Sequence, residues 1–278
     1  MIRDLISLTK PRISVLNASM TAFGLALAGG APRSVWLATL AGTLLLVSSA
    51  NTLNMYLERD IDARMRRTRG RPLPAGRMPP LMALIFGIAL ALLALPLLTF
   101  GANALTGLLG AVALLGYVLV YTPLKQITPH ALLVGAIPGA MPPLLGWTAA
   151  SGSVSTAGLA LFAVLFLWQI PHFLAIAMFL DDDYRAAGIK VYPAERGEAA
   201  TRRAIVACLA LQVLVTLLLV PLGLGGSLYL AGAALLGALM LGLGFSGVLG
   251  RGDHTWARRL FLATLVYLPA LFGLLVAS

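Results

Sequence analysis

Residues 81–100 read LMALIFGIALALLALPLLTF, a run with no charged side chain. An α-helix rises 1.5 Å per residue, so a run of about 20 residues covers the roughly 30 Å hydrocarbon core of a bilayer. Working outward, similar runs occur at about 13–30, 35–57, 103–121, 131–149, 156–179, 203–222, 227–248 and 257–277. Together they use up the chain, leaving no stretch for a soluble domain. Residues 1–278 are therefore expected to form one all-α integral membrane domain, a bundle of about nine transmembrane helices. Composition agrees: 59% of residues are hydrophobic and 11% charged, with a mean hydropathy of +0.92. Soluble domains carry about 25% charged residues.

The net charge of +10 invites a nucleic-acid reading, but the placement of the charge excludes it. Arg3, Lys10 and Arg12 precede the first span, and seven arginines from Arg59 to Arg77 follow the second. Lys125 follows the fourth span. Arg185, Lys190, Arg196, Arg202 and Arg203 follow the sixth, and Arg251, Arg258 and Arg259 follow the eighth. Arg33 alone falls on the other side. This bias is the positive-inside pattern: the N-terminus and the loops after spans 2, 4, 6 and 8 are expected in the cytoplasm, with the C-terminus outside. A lone cysteine, Cys208, excludes an intrachain disulfide and a cysteine metal cluster.

Six of the ten acidic residues form two triplets, Glu58/Asp60/Asp62 and Asp181/Asp182/Asp183. Each lies where an even-numbered span reaches the expected cytoplasmic face. Asn54, Glu58 and Asp62 are spaced i, i+4, i+8, which puts an amide and two carboxylates on one helical face. Such hard oxygens suit a Mg²⁺ that keeps waters and bridges to substrate phosphates. Five arginines from Arg64 to Arg71 come next, before Pro72 and Pro74. Carboxylates and arginines together describe a site for a metal-bound polyanion; the competing reading is a solvated helix end whose acids pair with nearby arginines. Asn54 favours the site, because an amide one turn deeper in an apolar stretch needs a partner.

The adjacent carboxylates of the second triplet repel unless a cation neutralises them, through a metal at Asp183 or through arginines such as Arg185. The span before it carries Trp168, Gln169, Pro171 and His172. Pro171 opens the backbone ladder there. A histidine in a span is often structural. Sharing its segment with Gln169 and Trp168, this one is expected to face a ligand.

At these residues the chain becomes recognisable. The stretch from Asn54 to Pro72, with its acid–arginine pattern and the Arg67-Thr68 and Arg71-Pro72 pairs, resembles the first signature of the UbiA-type prenyltransferases. Tyr121-Thr-Pro-Leu-Lys125, Gly139 to Trp147, Trp168 to Phe173 and Asp183 to Ile189 are similar to segments of the protoheme IX farnesyltransferase (heme O synthase) family within that superfamily. The likeness runs from about residue 8 to residue 203. Glu58 stands where that family usually has Asp, and Gln126, Ala131 and Asp182 also depart from its pattern.

The resemblance implies helices around a central cavity, in a bacterial inner (plasma) membrane. It also implies a Mg²⁺-dependent transfer of a farnesyl group from farnesyl diphosphate to a vinyl group of heme b. On that reading Glu58 and Asp62 hold the metal, with Asn54 in support and Asp183 as a second contact. Arg67, Arg71 and Lys125 grip the diphosphate, and His172, Gln169, Trp168 and Tyr121 meet the acceptor. Downstream heme-modifying or oxidase-assembly proteins are the implied partners. Two alternatives remain at this stage: a related enzyme with an aromatic acceptor, which has no evident use for the Pro171-His172-Phe173 segment, and a secondary transporter. The latter is expected to carry its coupling groups near the midplane rather than at one rim.

Overall fold

The computed structural model describes residues 1–250 and 252–278; Arg251, one of the basic residues counted above, lies outside them. The described residues are helical, with no strand among them. The long helices are α1 (Pro11–Leu27), α2 (Arg33–Leu57), α3 (Pro80–Gly101), α4 (Ala104–Leu115), α5 (Ala131–Ser151), α6 (Thr156–Phe179), α7 (Glu198–Leu217), α8 (Ser227–Leu249) and α9 (His254–Ala277). α4 continues through a π-helical turn, Gly116–Tyr121, and a last turn, Thr122–Leu124. Counting that continuation, the eight helices from α2 to α9 are long and apolar enough to cross a membrane. α1, at 17 residues, is about 25 Å long. It stops short of the expected 30 because Gly29 and Gly30 adopt φ of 94° and 77°, which end the helix. α7 begins five residues before the expected 203: Gly197, at φ 81°, turns the chain, and Arg202 then donates to Glu198 one turn away at 3.1 Å.

Each long helix packs on its successor, and α1 also packs on α5 and α9, so the first and last helices close the bundle. In a bilayer the lipid is as apolar as the side chains, so close backbone packing does much of the holding. α1 and α5 show it directly. A Cβ on Gly24 would overlap the Pro143 carbonyl, and one on Gly146 would overlap the Thr21 carbonyl. Two apolar cores result. One gathers Leu46, Leu98, Leu114 and Leu145 from α2 to α5, and the other gathers Leu165, Leu209, Tyr229 and Phe272 from α6 to α9. Between them lies a cavity of about 530 Å³, reached by residues of both halves.

Candidate active site

The acid-bearing end of the cavity is built where α2 stops. Glu58 takes φ −99° and ψ 7°, so the helix breaks there, and Arg59–Asp62 form a separate turn. The expected single helical stripe is thus a stripe across a kink. Its spacing survives, because Glu58 N–H donates to the Asn54 carbonyl at 3.0 Å and Asp62 N–H to the Glu58 carbonyl at 2.8 Å. Asn54, Glu58 and Asp62 are 3%, 3% and 1% exposed, and all three line the cavity.

Buried carboxylates need cations close by. Lys125 Nζ pairs with Glu58, and Arg71 Nη1 donates to Asp62 Oδ2 at 2.6 Å. The Thr68 hydroxyl donates to the Asp62 backbone carbonyl at 2.8 Å, folding the arginine-rich turn back over the acids. The other cation is aimed from α4. Asn54 Nδ2 donates to Thr122 Oγ1 at 3.1 Å, and Thr122 Oγ1 donates to the Tyr117 carbonyl at 2.9 Å, in the π-helical turn. A π turn re-aims the residues that follow it and is common at functional sites. Here Tyr117, Tyr121 and Lys125 all face the cavity, with the two rings 5.2 Å apart.

The loops after α2 and α6 meet through a small apolar core of their own. Met65 is buried against Ala187 and Ile189, with Ile61, Tyr184 and Val191 around them. This docking brings Arg67 and Tyr184 to the cavity wall. Burial raises the Tyr184 phenol above its ordinary pKa, against the opposing charge of Arg67. Asp183 is not brought there. It lines a separate shallow pocket with Arg66, Arg67, Phe179, Leu180 and Asp182, so the geometry does not support its expected second metal contact. The reason is helical: within Asp181–Ala186, Tyr184 takes the cavity side, and its neighbour points about 100° away. Asp181, for its part, accepts from Arg185 Nε at 2.6 Å. Among the described residues no three carboxylate, imidazole or thiol groups gather as a metal cage. Glu58 and Asp62 suit an ion that completes its shell with phosphate oxygens and water, which is the habit of Mg²⁺.

Lys10, a cavity residue, carried no expected role. Lys10 is the only described residue other than glycine with positive φ, at 47°, and it sits between a short helix, Ile2–Leu8, and Pro11. Leu8 is fully buried against Met55, Leu73 and Met78, which pins that helix over the ends of α2 and α3 and sets Lys10 at the cavity. Burial, reinforced by the Arg71 charge, lowers its pKa to about 8, with Glu58 and Asp62 partly opposing. Such strain in a non-glycine residue is typical of functional sites. The available sequence signal was a lysine directly before the proline that opens a span.

α6 supplies the apolar end. Trp168 and His172 stack at 4.7 Å, and Phe261 of α9 lies 4.8 Å from the imidazole. His172 Nδ1 lies 2.7 Å from Thr264 Oγ1, and Trp168 Nε1 donates to the Thr264 carbonyl at 2.8 Å. Gln169 Nε2 donates to the backbone carbonyls of Ala136 and Leu165, with its side chain against Gly139, where a Cβ would collide with it. Trp168, Gln169 and His172 therefore do reach the same cavity as Glu58 and Asp62. The model of the UbiA prenyltransferase family matches residues 17–265. The chain belongs to that family.

Among relatives of this UbiA chain, a protein called protoheme IX farnesyltransferase from Sorangium cellulosum (strain So ce56) is 56% identical over 237 residues, covering 85% of each chain. Another so called, from Anaeromyxobacter sp. (strain Fw109-5), is 54% identical over 272 residues, covering 97% of this chain and 91% of that one. Among solved structures, a UbiA homologue from Archaeoglobus fulgidus bound to GPP and Mg²⁺ matches at a TM-score of 0.65 and 16% identity, over 99% of this chain and 100% of that one. At that identity the likeness speaks for the UbiA fold. The kinked acid stripe, its paired cations and the aromatic shelf are features of this chain's own side chains.

Proposed function

We propose that the protein transfers a farnesyl group from farnesyl diphosphate to a vinyl group of heme b, giving heme O and diphosphate. The observation that carries the reading is one cavity with two chemically different ends. A polyanion-binding set, Lys10, Glu58, Asp62, Arg67, Arg71 and Lys125, faces an aromatic shelf with an imidazole, and both belong to a chain more than half identical to named protoheme IX farnesyltransferases.

Glu58 and Asp62, both nearly fully buried in the cavity wall, would hold a Mg²⁺. A bound Mg²⁺ neutralises the diphosphate and so eases its departure. Asn54 steadies the site through Thr122, and Arg67, Arg71 and Lys125 grip the phosphate oxygens, the arginines through their forks and the lysine as a point charge. In the balanced reaction the allylic C–O bond breaks and the electron pair leaves with diphosphate. The farnesyl carbon then bonds to the terminal carbon of the vinyl group. Water adds to the resulting cation and releases a proton, leaving the hydroxyethylfarnesyl substituent. His172, with Trp168, Gln169 and Tyr121 beside it, would contact the macrocycle, since a neutral imidazole is a common iron ligand. The acid-bearing end faces the cytoplasm on the charge argument above.

Purified protein incubated with heme b, farnesyl diphosphate and Mg²⁺ should yield a product of the mass of heme O. Prenylation of an aromatic acid in place of heme under the same conditions would overturn the assignment.

A further inference from the structure

Thr264 holds both aromatic members of the shelf at once. Its backbone carbonyl accepts from Trp168 Nε1 at 2.8 Å, and its hydroxyl oxygen lies 2.7 Å from His172 Nδ1. The two rings sit one turn apart on α6, stacked with 24° between their planes, while Thr264 is fully buried on α9. A hydroxyl has one proton to give. That of Thr264 is directed at the Phe261 carbonyl, 2.6 Å away. With that proton on the carbonyl, the same oxygen accepts toward His172, and Nδ1 carries the ring proton. In a neutral imidazole the other nitrogen, Nε2, is then the one with the free lone pair. His172 lines the cavity, and no described residue forms a hydrogen bond with Nε2.

From this geometry we infer that Thr264 is a positioning residue: it sets the Nδ1–H tautomer and the plane of His172, so that Nε2 presents its lone pair to the iron of heme b. The inference rests on the reading of His172 as the heme contact. The outer hydrogen-bond partner of a metal-binding histidine orients the ring and raises its basicity, and its loss typically costs 10–100-fold in affinity. Without the threonine oxygen, Nδ1–H has no acceptor there. The ring then gains by moving its proton to Nε2, which turns the cavity-facing nitrogen from a ligand into a donor.

The test uses the full chain in detergent, with heme b titrated by difference spectroscopy and farnesyl diphosphate binding measured alongside. Thr264→Val, close in shape but without the hydroxyl, should weaken heme b binding roughly 10–100-fold. Its bound-heme spectrum should move toward that of His172→Ala, while farnesyl diphosphate binding stays at the wild-type level. Thr264→Ser, which keeps the oxygen, should restore the wild-type spectrum. A wild-type heme spectrum and affinity in Thr264→Val, beside an altered one in His172→Ala, would overturn the role of Thr264 and leave the acceptor reading standing. An unchanged spectrum in His172→Ala would remove the reading and the inference together. Loss of both ligands in Thr264→Val, recovered in Thr264→Ser, would make Thr264 a structural tie between α6 and α9 and overturn its role in positioning.

Discussion

Arg71 Nη1 stands 2.6 Å from Asp62 Oδ2, nine residues back along the chain, with the carboxylate 1% and the guanidinium 22% exposed. Lys125 and Glu58 repeat the arrangement from a different helix. The two pairs keep buried charges neutralised at the cavity wall. On the proposed function, binding would exchange partners: the carboxylates would turn to the metal and the cations to phosphate. An exchange of this kind avoids the larger cost of creating charge in a buried site.

Asp62→Asn keeps the shape and removes the charge. Turnover should fall at least about 100-fold, in the range seen when one preorganised electrostatic group is lost, with the protein still folded in the membrane. Asp253→Asn serves as the control. Asp253 Oδ1 caps α9 by accepting from Trp256 N–H at 2.8 Å, and Asn caps a helix about as well. Comparable activity in both variants at saturating Mg²⁺ would place the diphosphate site elsewhere.

Lys125→Met strands the Glu58 carboxylate, which is 3% exposed, and should cost about 3 kcal/mol of stability, seen as a lowered melting temperature. Adding Glu58→Gln should recover most of that loss without recovering turnover. If the single variant melts like the wild type, the Lys125–Glu58 pair does not stabilise this end of the bundle.

On the proposed function, Lys10 should make diphosphate binding depend on pH. Its pKa is lowered to about 8, so it is charged below that value and neutral above it. An anion favours the charged form, and affinity for inorganic diphosphate, measured by calorimetry, should therefore fall as pH rises through about 8. Lys10→Arg should flatten that part of the profile. The stability contribution runs the other way. The cost of burying the charged amine is full below the folded value of about 8 and is relieved as pH rises toward the ordinary 10.5. A profile in Lys10→Arg that keeps the wild-type inflection would assign the titration to another group.

The topology is open to cysteine labelling in a Cys208→Ser background. Reagents confined to the periplasmic side should miss single cysteines at Arg67, Lys125 and Glu195 and reach one at Ser153. The reverse pattern would invert the bundle and move the acid-bearing end outside.

Hydropathy and charge belong to residues one at a time, and for that reason the nine long helices, their limits to within about five residues and the clustering of acids at helix ends were legible in the chain, although α1 proved shorter than the other eight once the continuation of α4 is counted. Helical period did the rest of the local work, placing Asn54, Glu58 and Asp62 at one-turn intervals even across the kink at Glu58. Partnerships over long separations were not legible, because a linear pattern does not say which helix faces which. Asn54 meets Thr122 at a separation of 68 residues, and His172 meets Thr264 at 92. Packing also decided between neighbours, turning Tyr184 into the cavity and Asp183 out of it. Lys10 shows the limit most clearly. Its left-handed backbone is imposed by the docking of Leu8 and the start of α1 at Pro11, and only that tertiary constraint makes a lysine before a span into a wall of the site.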